Sequence, residues 1–290
     1  MANVGEVLDH CPIPSWRSDM LSLVGQGVWN SVYRLHTAQN LPLALKCMPL
    51  FDHEELRRDQ ECFLEYERQI ARLRHPNLLP LLLEWRTATA QRLVYYYQPF
   101  TLRQWLQQQQ QHAVVQSSSL ARQLLSVVQH LHNHSWSHND IKPDNIMVNA
   151  AGTQLWLVDF SAVRPVPVDG QIMWNQDLTT LWYRSPEMQQ RTEFFTTRSD
   201  VWSVGCVLYE CVTGEVLFPA RDEHDLKRLL LESLPVPMAN LHSAMVQAVP
   251  WSPCHRHLSG SWRRWLASLL ALSPRRRVTA AQALESLAAL

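Results

Sequence analysis

The chain has 290 residues, and 46% of them are hydrophobic, which is enough for a substantial core and unlike the composition of a disordered protein. Lysine and arginine together number 26, as do aspartate and glutamate, so the formal net charge is zero and gives no support to nucleic-acid or membrane-surface binding. The sequence shows no hydrophobic signal region and no apolar run near the roughly 18 residues of a membrane span, so we expect a cytoplasmic protein.

The sequence predicts neither a disulfide framework from its cysteines nor a zinc site from its histidines. The six cysteines are scattered without a C-x-x-C pair, which is typical of reduced, mostly buried thiols. Histidines cluster at His130, His132, His134 and His138 and again beside Cys254, but neither cluster has a second half at zinc-site spacing. We interpret both clusters as polar residues around a helix end and a loop.

The first third of the chain predicts a small sheet with one helix. Apolar strand patterns occur on both sides of a glycine turn within residues 21–35, and again in residues 43–48, 78–85 and 91–97. Residues 52–74 have a helical period, which Pro76 stops. A glycine pair such as Gly25 and Gly27 ordinarily marks a hairpin, and a lysine inside a strand, such as Lys46, is ordinarily a solvated charge.

The rest of the chain predicts mainly helices. A short helix begins at Thr101, and residues 120–132 carry apolar residues at helical spacing that lead into the segment Ser137–Asn145. Residues 199–210 form an apolar helix with Asp200 near its start, where an acid is ordinarily a helix cap.

The segment Ser137–Asn145 carries side chains that suit phosphoryl transfer. Asp140 is followed by Lys142 and Asn145, and an apolar strand then ends at Asp159. The reaction requires a carboxylate that orients an attacking hydroxyl and accepts its proton, a cation near the moving phosphate, and oxygen ligands for magnesium. Asp140 can supply the carboxylate and Lys142 the cation. Asn145 and Asp159 can supply the metal ligands.

With these motifs the chain resembles the eukaryotic-type serine/threonine protein kinase family. The family's catalytic loop reads H-R-D-L-x-x-x-N and its metal site D-F-G, and here the two read HNDIKPDN and DFS. The resemblance implies an α+β, bilobal fold with a five-stranded antiparallel sheet plus one helix, and a larger, mainly helical lobe. We expect a single kinase domain, with a lead-in to about residue 20, a small lobe at 21–98 and a large lobe at 99–290. Two short stretches, LWYR and TGEVLFP, are similar to the cyclin-dependent-kinase branch.

The resemblance also implies an ATP site. The family's lid, G-x-G-x-x-G-x-V, matches at Gly25, Gly27 and Val32, while Asn30 replaces the third glycine. Asparagine tolerates left-handed backbone better than most residues, so the loop shape can survive. The residues expected to bind nucleotide are Val24, Gly25, Gln26, Gly27, Val32, Ala44, Lys46, Glu65, Tyr96 and Gln98.

Lys46 would hold the nucleotide phosphates and pair with a glutamate of the helix. Counted back from the His75-Pro76 step, the position of the family's glutamate falls on Tyr66, between Glu65 and Glu67. We choose Glu65, because Tyr66 and Ile70 then follow it as part of a buried stripe.

Residues 160–187 would form the activation segment. Thr180 stands where the family keeps a threonine that contacts the catalytic aspartate and lysine. Asn139 replaces the arginine that binds a phosphorylated segment, and Asn175, which cannot be phosphorylated, falls at the usual phosphorylation site. These two departures predict a kinase that needs no phosphorylation of this segment.

Two structural contacts are implied in the larger lobe. Asp200 would bind the backbone of the catalytic loop. Arg277, within a run of three arginines that alone would suggest a basic patch, would pair with Glu187.

The sequence therefore predicts transfer of the γ-phosphate of ATP, with Mg²⁺ or alternatively Mn²⁺, to serine or threonine hydroxyls of protein substrates. Lys142 favours these acceptors over tyrosine. We also expect an activating or regulatory protein partner. One alternative is a pseudokinase scaffold, which Asn30, Asn139 and Ser161 would suit. Another is a small-molecule kinase similar to aminoglycoside phosphotransferases, which lack the elements around Asp200 and Arg277.

Overall fold

The computed structural model describes residues 8, 10–13, 15–27, 30–37, 41–108, 113–167, 172–173, 180–189, 194–232 and 259–288. Contacts divide the chain into two compact units, Met1–Pro99 and Phe100–Leu290. This division lies one residue after the lobe boundary expected between residues 98 and 99. The histidines beside Cys254, together with Asn175 and Thr179, lie outside the described residues.

The first unit contains a five-stranded antiparallel sheet and a helix, as predicted. Its strands are β1 (Leu21–Gln26), β2 (Ser31–His36), β3 (Pro42–Pro49), β4 (Leu81–Arg86) and β5 (Ala90–Tyr96). They are ordered β1-β2-β3-β5-β4 across the sheet. Helix α1 spans Glu54–Arg72, between β3 and β4.

Alternating side chains on the central strands form the core of this sheet. Tyr33 and Leu35 on β2 are buried with Leu43 and Leu45 on β3, since every second residue of a strand points to the same face. A second buried cluster joins Leu64 of α1 to Met48 of β3 and Leu93 of β5. The helix is therefore fixed against the strand that carries Lys46.

The second unit is mainly helical. Its helices are α2 (Leu102–Gln108), α3 (Ala113–Asn133), α4 (Pro186–Gln189), α5 (Arg198–Thr213), α6 (Glu223–Glu232), α7 (Gly260–Leu269) and α8 (Ala280–Leu287). Its short strands are β6 (Phe100–Thr101), β7 (Trp136–Ser137), β8 (Ile146–Val148), β9 (Leu155–Leu157), β10 (Arg164–Pro165), β11 (Ile172–Met173) and β12 (Phe194–Phe195). Strand β8 pairs with both β6 and β9, β10 with β7, and β11 with β12.

Helix α5 forms the centre of this unit, and residues Ser199–Val212 are all buried. It packs against α3 and α7, and α3 also packs against α8. A side chain at Gly205 would come within 2.8 Å of Leu270, so glycine permits the close approach of the chain there. None of the helices in the described ranges combines the length and hydropathy that a membrane crossing requires.

Candidate active site

The Asp140 carboxylate is held by donors from both sides of the loop. Thr180 donates its backbone N–H and its hydroxyl to Asp140 Oδ1, at 3.0 and 2.9 Å. Asn145 donates its side-chain N–H to Asp140 Oδ2 and to the Asp140 carbonyl, both at 2.9 Å. These bonds orient a carboxylate that is nearly buried, with 10% of the side chain exposed.

Lys142 lies against the same carboxylate. Its Nζ is 2.7 Å from Asp140 Oδ2 and donates to Thr180 Oγ1 at 2.6 Å. The threonine hydroxyl therefore accepts from the lysine and donates to the aspartate. Thr180 thus contacts both Asp140 and Lys142, as expected, while the catalytic roles of the three residues stay predictions.

Asn145 and Asp159 lie at one end of a β-hairpin. Strands β8 and β9 pair Ile146 with Leu157, and Val158 donates its backbone N–H to the Asn145 carbonyl at 3.0 Å. Asp159 follows directly with φ 62°, a left-handed conformation that is uncommon for residues other than glycine but that aspartate tolerates better than most. Two oxygen-bearing side chains, the type that Mg²⁺ prefers, are thus placed at neighbouring positions.

Asp200 fixes the backbone that precedes Asp140. Its carboxylate accepts from the N–H groups of His138 and Asn139 at 2.9 and 2.8 Å. It also lies 2.9 Å from the Ser137 hydroxyl, whose one hydrogen it shares with the Asn139 side-chain oxygen, and 2.8 Å from His132 Nε2. The role predicted for Asp200 is therefore confirmed, and the carboxylate ties α5 and α3 to the catalytic loop.

The pKa of Asp200 reflects these contacts. Burial alone would raise this pKa, but hydrogen bonding and charge from His132, the charge of His138 and the Asn139 N–H together outweigh it and lower the pKa below its usual range. The buried carboxylate thus remains ionised as a rigid acceptor.

Asn139, which stands in place of the family's arginine, makes side-chain hydrogen bonds of its own. Its φ of 69° is left-handed. Its side-chain N–H groups donate to the carbonyls of Ala162 and Ser137 at 2.9 and 3.1 Å, and its oxygen accepts from the Ser137 hydroxyl at 2.7 Å. The side chain therefore connects the catalytic loop to the start of the activation segment.

In the first unit, Lys46 pairs with Glu67. Lys46 Nζ lies 3.5 Å from Glu67 Oε1, and both side chains are nearly buried. Tyr95 donates its phenol to the same oxygen at 2.6 Å. The prediction that Glu65 is the partner was wrong, since Glu65 instead contacts Arg68 and Gln69 on its own helix.

The phase of α1 explains this correction. Leu64, Glu67 and Ile70 are buried and spaced by three residues, so they share one face of the helix. Glu65 is two residues from Glu67 and points away from that face. Of the stripe expected to follow Glu65, Ile70 lies on this buried face, whereas Tyr66 is only half-buried.

The glycine turn joins β1 to β2 as predicted, but Asn30 does not have the left-handed backbone that the sequence allowed for it. Gly25 pairs with Val32 across β1 and β2, with an irregularity just before it. Gly27 donates its N–H to the Asn30 carbonyl at 2.8 Å, which closes the turn at the position where Asn30 replaces glycine. Val24 and Gln26 lie on β1, Ala44 lies on β3 beside Lys46, Tyr96 ends β5, and Gln98 follows it. Their contact with nucleotide stays a prediction.

The pair of Arg277 with Glu187 is confirmed. Arg277 is fully buried, and its guanidinium donates to both oxygens of Glu187, at 2.7 and 2.9 Å. It also donates to the Arg198 and Ala271 carbonyls at 2.8 and 3.0 Å. The pKa of Glu187 is lowered, because the charge of Arg277 outweighs the effect of burial.

Three contacts of the site were not anticipated from the sequence. They are the Tyr95–Glu67 hydrogen bond, the Asn139–Ala162 hydrogen bond and the contact of His132 with Asp200. The one local sequence signal was Asn139 itself, since asparagine is among the few residues other than glycine that readily adopt a left-handed backbone. Asp140, Lys142 and Thr180 contact one another, and the first unit has a five-stranded sheet with one helix. Together these features define the kinase-like class of fold.

Comparison with known proteins places the chain within that class. A model of the protein kinase domain matches residues 19–287. A probable serine/threonine-protein kinase, glkA of Dictyostelium discoideum, is 29% identical over 238 residues, which is 80% of this chain and 48% of that relative. Serine/threonine-protein kinase 36 of Pongo abelii is 32% identical over 270 residues, 90% of this chain and 18% of that relative. The chain therefore belongs to the eukaryotic-type serine/threonine protein kinase family.

The chain spans about half the length of the first of these relatives and less than a fifth of the second. What it shares with them is the kinase domain.

Proposed function

We propose that the chain transfers the γ-phosphoryl group of ATP to serine or threonine hydroxyls of protein substrates. The observation that carries this proposal is the contact of Asp140 with both Lys142 and Thr180. Phosphoryl transfer depends mainly on positioning and electrostatic stabilisation, and this arrangement provides both.

The roles follow from the contacts. Asp140 orients the acceptor hydroxyl and takes its proton, while Lys142 stabilises the charge of the transferring phosphoryl group. Lys46 holds the nucleotide phosphates, oriented by Glu67 rather than Glu65. The lid at Gly25 and the backbone from residue 96 to residue 98 bind the rest of the nucleotide.

Asn145 and Asp159 fit a divalent metal ion. The Asn145 side-chain nitrogen is committed to Asp140, so its oxygen is the atom left to bind a cation. Magnesium at these two oxygens, or manganese in its place, would neutralise charge on the phosphates. Asn145 would thereby couple the metal site to the orientation of Asp140.

Serine and threonine are the favoured acceptors. Lys142 stands two residues after Asp140 and is fixed by Thr180. Both relatives are named as serine/threonine-protein kinases, which supports the same acceptor class. A cytoplasmic location and a regulatory protein partner remain predictions.

Activity should not require phosphorylation of the activation segment. The start of that segment is already held, because Asn139 binds the Ala162 carbonyl and strand β10 pairs with β7 beside the catalytic loop. These bonds connect the same two segments that a phosphate bound by arginine would connect.

Two measurements test this independence. Phosphatase-treated protein should keep its transfer rate, whereas activity that appears only after phosphorylation of Thr179, Thr180 or Ser161 would contradict the proposal. Asn139→Gly keeps the left-handed backbone and removes only the amide, so it should slow transfer if the hydrogen bond to Ala162 holds the segment.

The proposed activity is tested by transfer of labelled phosphate from ATP to a generic protein substrate, followed by identification of the modified amino acid. Phosphoserine or phosphothreonine is expected, and Lys46→Ala and Asp140→Ala are the matched inactive controls. Magnesium-dependent nucleotide binding without transfer would instead support the scaffold alternative, to which the comparisons give no support. Transfer to small molecules but not to proteins would support the other alternative.

A further inference from the structure

A guanidinium group joins two carboxylates beside the catalytic loop. Arg103, in the first turn of α2, donates through Nε to both oxygens of Asp144 at 3.2 and 3.0 Å. Its two terminal nitrogens donate to Glu210 at 2.7 Å and to the Tyr183 phenol oxygen at 2.6 Å. Three segments distant from α2 in sequence thus converge on one side chain.

The surroundings of this guanidinium are a complete receptor for a basic group. Tyr183 donates its phenol to the second oxygen of Glu210 at 2.7 Å. Burial and the bond to Glu210 raise the pKa of Tyr183, so the phenol stays protonated and fixes the carboxylate. Two carboxylates and a phenol oxygen match the planar fork of a guanidinium.

The receptor opens toward the surface on the Asp144 side. The Glu210 side chain is 7% exposed, that of Arg103 22%, and that of Asp144 47%. A side chain from another molecule could therefore approach Asp144, while Glu210 lies at the inner end. Arg103 fills the space between them.

This network lies close to the proposed reaction centre. Asp144 directly precedes Asn145, which binds Asp140. On the other side, Tyr183 donates its N–H to the carbonyl of Thr180, whose hydroxyl also binds Asp140. An extended acceptor chain advances about 3.3 Å per residue, so residues that flank the acceptor hydroxyl come within reach of Asp144.

Building on the proposed function, we propose that Arg103 is a specificity-determining residue. It occupies from within the carboxylate receptor that would otherwise bind an arginine or lysine of the acceptor segment. The protein therefore accepts segments with neutral side chains at the flank that passes Asp144, and it gives basic ones no advantage there. Because Arg103 already neutralises one of the two carboxylates, a second cation gains less there than at an empty receptor.

The test compares peptide acceptors that carry arginine or alanine at each position around a central serine. Wild-type protein should show an arginine-to-alanine rate ratio of one or below at every position. Arg103→Gln should raise this ratio about 10-fold or more at one or two positions, since charge-assisted hydrogen bonds to Asp144 and Glu210 become available to the peptide. Arg103→Gln combined with Glu210→Gln should return the ratio toward the wild-type value.

The outcomes separate this inference from the proposed function. If Arg103→Gln slows all peptides by one factor, Arg103 has a structural role only and the inference is overturned. Should that variant fail to fold, the wild-type profile decides, because a strong preference for arginine that Asp144→Asn removes would contradict an occupied receptor. Wild-type protein that transfers phosphate to no acceptor would overturn the proposed function and, with it, this inference.

Discussion

Glu67 accepts hydrogen bonds from two strands of the small sheet. Lys46 on β3 and Tyr95 on β5 both approach Oε1, and the phenol is the closer of the two donors, at 2.6 Å against 3.5 Å. A nearly buried carboxylate is costly to leave without donors. In the proposed mechanism the phenol would therefore help to keep Glu67 in position while Lys46 holds the nucleotide phosphates.

At the residue scale, we predict that Glu67→Gln lowers kcat/KM for ATP by about 10-fold or more, because hydrogen bonds to charged groups are the strong class. The matched control is Glu65→Gln, a half-exposed position two residues away on the same helix. Steady-state kinetics at varied ATP concentration measures both. Equal losses in the two variants would contradict the assignment of Glu67.

The residues of the catalytic loop could be predicted from the sequence, but the glutamate could not. Asp140, Lys142 and Asn145 lie within one short segment, so their spacing fixes their arrangement. The register of α1 depends instead on which face packs against β3 and β5, and counting from the His-Pro step cannot determine this face. The hydrogen bond from Tyr95 to Glu67 could not be predicted either, since a tyrosine in a strand is ordinarily a packing residue.

At the scale of elements, two buried carboxylates hold the larger unit together at a distance from the reaction. Asp200 connects α5 to the catalytic loop. Glu187 connects α4 to the segment between α7 and α8 through Arg277, and it also accepts from the Ser199 hydroxyl at 2.8 Å. The catalytic loop and helix α4 are thereby both tied to helix α5.

We predict that Arg277→Ala destabilises the protein by about 3–5 kcal/mol, because it leaves a buried carboxylate without its cation. Arg275→Ala, an exposed arginine of the same run, should change stability by less than about 0.5 kcal/mol. Chemical denaturation of the two variants measures the difference. Wild-type stability in Arg277→Ala would show that the pair contributes little.

The element order was predictable from periodicity, but the contacts between distant elements were not. The pair of Arg277 with Glu187 followed from a family pattern. The network of Arg103 with Glu210 joins residues 107 positions apart, and no local signal marks either residue. Such contacts arise only when the folded chain brings α2 and α5 within reach of one long side chain.

At the scale of the whole molecule, the lowered pKa values of Asp200 and Glu187 imply a stability that depends on pH. A carboxyl group whose folded-state pKa lies below its unfolded value contributes its full stabilisation above the unfolded pKa, near pH 4. That contribution is lost as the pH falls through the folded-state pKa, because the unfolded chain takes up the proton first.

We therefore predict that the contribution of these two carboxyl groups to the free energy of unfolding is constant from about pH 7 to pH 5. This contribution should fall below about pH 4. The dependence should be weaker in Asp200→Asn, which removes one of the two carboxyl groups. Denaturant titrations over this range measure both proteins. Equal acid dependence in the two would show that Asp200 is not among the groups responsible.

The most direct test of the account measures nucleotide binding and phosphoryl transfer side by side in wild-type protein and Asp140→Asn. The variant should bind Mg²⁺–ATP as the wild type does, since Asp140 serves the acceptor hydroxyl. Transfer to a protein serine or threonine should fall by about 10³-fold, near the middle of the range for loss of a general base. Transfer that survives unchanged in Asp140→Asn, or a wild type that binds nucleotide but never transfers phosphate, would contradict the account.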